Sequence, residues 1–185
     1  MAIKTFAVGE VLTASDTNTY LANSGLVYVT TLTISSATSG FTDAAFTSDF
    51  TNYRIVGNWN TTSAVNMVFT FRNSSGDVTA ANYKYNSAYM TYVTTPAWVF
   101  DGSAGTSNFP LFARAQNSGE QNSFAYDIFN PQTATITTVS GSCTDGFLWR
   151  NMNGLYNATT QMVGFKLSAS TNITGTFAVY GYRKA

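Results

Sequence analysis

Histidine is absent from this 185-residue chain, and cysteine occurs once, at Cys143. Without histidine, Ser-His and Cys-His nucleophile pairs are excluded, as are the zinc motifs built on imidazole. One cysteine cannot close an intramolecular disulfide or build a cysteine metal site, so Cys143 reads as a small buried side chain. Charge is scarce too: Lys, Arg, Asp and Glu make up 10% of the residues, against roughly 25% in average domains. The formal net charge is zero, and no basic run exists beyond Arg183-Lys184. A nucleic-acid partner needs a basic footprint, so none is expected. No apolar run reaches signal-peptide or transmembrane length, which leads to the expectation of a soluble protein made in a cytoplasm, with no membrane partner. No GxxxxGK[ST] phosphate loop is present. Asn60, Asn73, Asn157 and Asn172 match the glycosylation acceptor pattern, but in an Asn/Thr-rich chain without a secretion signal these read as chance.

Glycoside hydrolysis needs only two carboxylates near each other. The candidates are Glu10, Glu120 and seven aspartates, among them Asp43, Asp49, Asp77, Asp101, Asp127 and Asp145. Their spacing pairs no two of them. No D-x-D-x-D-G calcium run occurs either. The expectation is a non-enzyme with no catalytic residues, no metal site and no cofactor.

What the chain does have is Thr, Ser and Asn, which keep it soluble and suit strands and turns over helix interiors. A chain of this length can remove roughly 70% of its unfolded surface from water. Residues 1–12 look extended. Residues 13–25, TASDTNTYLANSG, predict the one short helix. Thr13 is its N-cap, Asp16 stands three residues on as in a capping box, and Gly25 is the left-handed stop. About three turns are marginal alone in water, so this helix needs a surface to dock on. From residue 26 the period is two. Strands are expected at 26–35, 53–60, 65–72, 82–93, 97–100, 109–116, 122–130, 134–141, 146–152, 161–169 and 173–183, with a hairpin turn at Asn73–Asp77. Short strands at regular spacing imply an all-β fold: a jelly-roll-like two-sheet β-sandwich at 26–185, preceded by an N-terminal attachment segment at 1–25.

Aromatic residues are the positive signal, at 15%. Tyr83, Tyr85 and Tyr89 fall on one face of a single strand, with Tyr92 opposite. Tyr has an apolar body and a polar tip, so these residues and Trp98 suit either packing in a core or interface, or stacking on sugar rings at the surface. Trp59 and Trp149 face the same choice.

The run Phe6-Ala-Val-Gly9-Glu10-Val-Leu12-Thr13-Ala-Ser-Asp16-Thr-Asn18-Thr-Tyr20-Leu21 resembles the start of many small virion-associated proteins of tailed bacteriophages, which follow an F-x-x-G-E-x-L-T-A-x-D-x-N-x-Y-L pattern. Gly175-Thr-Phe-Ala-Val179-Tyr180-Gly181-Tyr182-Arg183 is similar to the last strand of phage jelly-roll modules. Phe50-Thr-Asn-Tyr53-Arg54-Ile-Val is similar to an early one. The resemblance covers about a quarter of the chain. It implies a virion location and an attachment segment ahead of a β module that is commonly a homotrimer. Phe6, Val8, Leu12, Tyr20 and Leu21 would then carry the contact with neighbouring copies or other virion proteins, by burying apolar surface. Two readings follow: a tail fibre, spike or baseplate-associated appendage touching host-surface glycan, or a capsid decoration protein cementing the head shell. In the first, loops 36–52, 101–108 and 153–160 are the expected contacts. A glycan-modifying enzyme using Glu120 is the third reading and the least favoured.

Overall fold

Alternating apolar and polar residues give eleven strands among the described residues. They are β1 (Leu26–Thr42), β2 (Asn52–Thr61), β3 (Val65–Asn73), β4 (Gly76–Asp77), β5 (Tyr83–Thr91), β6 (Trp98–Thr106), β7 (Phe109–Ala115), β8 (Asn122–Phe129), β9 (Thr137–Thr144), β10 (Leu148–Tyr156) and β11 (Gly164–Tyr182). This computed structural model describes residues 7–11, 13, 25–91, 97–115, 119, 121–145 and 148–183, apart from the side chain of Leu111. The chain is all-β there, and its strand pairs are antiparallel. They form one sheet in the order β4-β3-β11-β2-β8-β9-β10-β5-β6, with β1 on β11 and β7 on β3.

In place of the two sheets expected from the sequence there is a single curled sheet, bent along its long pair β1 and β11. β11 is one strand of 19 residues where the sequence suggests a break between 169 and 173. Gly164–Ser168 pairs with β3, and Ile173–Gly181 pairs with β2. The register with β1 slips between Ala37↔Ile173 and Ser39↔Ser168, which leaves 169–172 as a bulge, and bulges bend and twist a strand. On β1, Ser36 takes a left-handed φ of 48°, and its N–H donates to Thr174 Oγ1 at 3.0 Å. Buried Thr61 Oγ1 donates to the Asn172 carbonyl at 3.1 Å. The two strands therefore turn a corner together and fold the sheet over, so that β3 and β7 lie across β5, β8 and β10.

The core lies inside this curl. Phe112 of β7 stacks on Tyr126 of β8, with centroids 4.1 Å apart, and the Tyr126 hydroxyl donates to the Phe112 carbonyl at 2.7 Å. Phe109 meets Tyr83 edge-on at 5.0 Å. Phe124 and Phe177 stack at 5.7 Å across β2. They can do so because the residue between them is Gly57: a Cβ there would lie 2.6 Å from both rings.

Several expectations change. Residues 36–42 belong to β1, 101–106 to β6 and 153–156 to β10, so the contact loop expected at 101–108 is mostly strand, while those expected at 36–52 and 153–160 begin as strand and continue as loop. In the segment expected to be extended, Ala7–Glu10 is a turn. The Glu10 N–H donates to the Ala7 carbonyl at 3.0 Å, and Gly9 has a φ of 88°, the geometry glycine supplies at the third turn position. Glu10 Oε2 accepts the Ala7 N–H at 3.0 Å. The hairpin turn at Asn73–Asp77 forms as expected, with Asn73 Oδ1 accepting the Ser75 N–H at 2.9 Å. The body of the expected helix, 14–24, lies outside the described residues.

Candidate functional site

Strand register decides what the concave face carries. Reading across from β11 to β6, Phe177, Gly57, Phe124, Cys143, Arg150, Tyr89 and Val99 form one continuous row. The next row is Val179, Ile55, Tyr126, Gly141, Met152, Ser87 and Asp101. Both rows are apolar at the β11 end, and their polar side chains, Arg150 and Tyr89 in the first and Ser87 and Asp101 in the second, stand toward β6. An open cleft of about 540 Å³ lies at the polar end, between β5–β6–β10 and the β3–β7 side. Asn66, Tyr89, Val99, Asp101, Arg114 and Arg150 line it. Its size falls within the roughly 300–1,000 Å³ that accommodates small ligands, and the mouth of a curled sheet is a common place for such a site.

Arg150 sits at the floor of the cleft and is 3% exposed. Its Nη1 donates to Ser87 Oγ at 3.5 Å, a long bond, and its guanidinium lies over the Tyr89 ring at 4.7 Å. Its Nε is buried without a hydrogen-bond partner among the described residues. Those residues provide four ion pairs, and none involves Arg150. Beside it, Cys143 is buried as expected. Burial pushes its thiol up to about 11, although the Arg150 charge acts in the opposite direction. Burial also raises Tyr85, with Asp101 adding to the rise and Arg150 opposing it, so these three groups share one electrostatic environment.

The tyrosines and tryptophan singled out from the sequence go to different places. Tyr83 is not a surface residue: it is 0% exposed. Its hydroxyl donates to the Val78 carbonyl at 2.7 Å and accepts the Phe71 N–H at 3.0 Å, because β3 folds over this end of β5. Tyr85 and Tyr89 are half-buried on the concave face. Trp98 is 55% exposed on the convex face, edge-on to Trp149 at 6.0 Å. Phe100, 78% exposed, lies two residues along the same strand. Trp59 is buried in the core. Of the anchor candidates, Val8 is fully exposed, whereas Phe6, Leu12, Tyr20 and Leu21 lie outside the described residues, as does Glu120.

The fold does bring two carboxylates together, at a site the spacing did not reveal. Arg72 Nε donates to Asp43 Oδ1 at 2.6 Å, its Nη1 pairs with Asp77, and Lys166 pairs with Asp77 at 2.8 Å. The ring of Phe41 lies 4.1 Å from the Arg72 guanidinium. Burial alone would raise Asp77, but hydrogen bonds and charge from Lys166 and Arg72 outweigh it and hold this carboxyl below its usual range. A carboxylate fixed as an anion between two cations suits structure better than proton transfer. Among the described residues no three His, Cys, Asp or Glu side chains converge to hold a metal ion.

Sequence reasoning missed Arg150, Arg114 and Asn66, and named Asp101 only as one of several unpaired carboxylates and the start of an expected contact loop. One signal was available for Arg150: in Leu148-Trp-Arg150-Asn-Met152 it has the parity of the two apolar residues, a charge in the inward phase of a strand. No protein-family model matches the chain, and no curated protein matches it.

Proposed function

We propose that this chain is a non-enzymatic structural protein of a tailed-bacteriophage virion, a tail-fibre, spike or baseplate-associated appendage that assembles with copies of itself and contacts the host surface. The resemblance at the two ends of the sequence supports the virion setting, and the doubled-over sheet suits a jelly-roll-like module. The observation that carries the assembly and contact roles is strand β6. It stands at the end of the sheet order, pairs with β5, and exposes Trp98, Val99 and Phe100 in succession. An edge strand with exposed aromatic residues is a liability in isolation and is ordinarily covered by a partner.

Two measurements test this reading. Light scattering on the purified chain should give a mass that is a multiple of the 20.0 kDa protomer, and Trp98→Lys together with Phe100→Lys should reduce it. Antibody-gold labelling of whole particles should mark the tail tip or its fibres. Label spread over the head would overturn the appendage reading in favour of a decoration protein.

A further inference from the structure

We propose that the cleft at Arg150 binds the carboxylate of an acidic sugar, and that the buried guanidinium is the group that recognises it. The proposal deepens the surface-contact reading and rests on it for the choice of a saccharide over other carboxylates. Its physical basis is the isolation of Arg150. Burying a cation is costly unless it is paired and hydrogen-bonded, yet Arg150 has one long bond to Ser87 and a buried Nε with no partner among the described residues. The guanidinium carbon lies 4.7 Å from the Tyr89 ring centroid, and Arg150 is among the residues that line the cleft. A guanidinium carries its N–H donors in a planar fork, the arrangement that takes a carboxylate in two hydrogen bonds. Lysine could not replace it.

The rest of the cleft narrows the ligand. Arg114 and Asp101 line the cleft with Arg150, one a cation and the other a carboxylate. Asp101 accepts hydrogen bonds from neighbouring hydroxyls and repels a more highly charged ligand. Exposed Asn66 on the rim offers an amide that can both donate and accept, as sugar hydroxyls require. Val99 supplies an apolar wall for the C–H face of a ring.

The experiment is calorimetric or NMR titration of the full chain with sodium glucuronate, with glucose, sodium acetate and sodium sulfate as comparisons. Glucuronate should bind saturably, and glucose roughly tenfold or more weakly, the loss expected when a charge-assisted pair is missing. Arg150→Gln should weaken glucuronate by a similar factor. Asp101→Asn should tighten it several-fold; this half-exposed position keeps the test alive should the Arg150 variant fold poorly. Equal binding of glucose and glucuronate would overturn the proposal, as would no binding at all. Sulfate or acetate binding as well as glucuronate would overturn the assignment to a sugar acid. Gold label on the tail without glucuronate binding would defeat this proposal alone, and glucuronate binding with label on the head would defeat only the appendage reading.

Discussion

Replacing Tyr83 by Phe removes one oxygen atom and leaves the ring among Phe71, Phe109 and Tyr156. The missing hydroxyl deprives two groups at once, the Phe71 N–H at 3.0 Å and the Val78 carbonyl at 2.7 Å. The residue is 0% exposed, so water cannot take its place without opening the core. A buried polar group left without a partner costs roughly 1–3 kcal/mol, which sets the expected loss at roughly 2–4 kcal/mol. At about 2–4 °C per kcal/mol for a chain of this size, the melting temperature should fall by roughly 5–15 °C. Urea unfolding followed by tryptophan fluorescence measures this, with a lower midpoint and an unchanged slope. Tyr85→Phe is the control, because the Tyr85 hydroxyl has no hydrogen bond among the described residues; its change should stay within about 0.5 kcal/mol. A Tyr83→Phe protein as stable as wild type would refute the reasoning and mean that β3 does not lie over β5 in solution.

Three further outcomes are expected. Gly57→Ala should destabilise the fold by roughly 1–3 kcal/mol, since its Cβ would meet the Phe124 and Phe177 rings at 2.6 Å; thermal unfolding reads it. Cys143 should resist iodoacetamide at pH 8 in the native protein and react fully in denaturant, because its buried thiol titrates only near about 11 and the thiolate is the reactive form. Asp77 has a folded-state pKa below its unfolded value, so its contribution is complete above about pH 4, the unfolded value, and is lost as pH falls through the lower folded one. Asp77→Asn should therefore cost on the order of 1 kcal/mol or less at pH 7 for this partly exposed group, and the difference from wild type should vanish in acid.

The strands were legible where one face is buried. Val65, Met67, Phe69 and Phe71 alternate in the sequence and are all buried. The alternation failed to show where the sheet turns, because a corner and a strand end look alike locally. Residues 169–172 read as an interruption, and they do break the β1 register, but the backbone continues as one strand. Exposed strands such as β6, with Gly102, Ser103 and Gly105, read as turn for the same reason. The cleft was less legible still. Its members come from β3, β5, β6, β7 and β10, and only strand register places Arg150 beside Cys143 of the preceding strand and Tyr89 of the sequence-distant β5. Composition pointed to tyrosine as the notable side chain, but it could not tell a buried Tyr83 from a half-buried Tyr89 on the same face of one strand.

The corner made by β1 and β11 also governs when this protein can fold. β11 is the last of the strands in chain order, yet it stands between β3 and β2 and pairs with β1 along nearly its whole length. Leu26 meets Tyr182, so the first strand waits for the last. A chain emerging from the ribosome holds unsatisfied edges on β1, β2 and β3 until β11 is made. Such late long-range pairing slows folding and leaves apolar strands open to wrong partners in the meantime. A ribosome-bound chain ending before residue 164 should be protease-sensitive throughout, and should gain protection in one step once β11 is released.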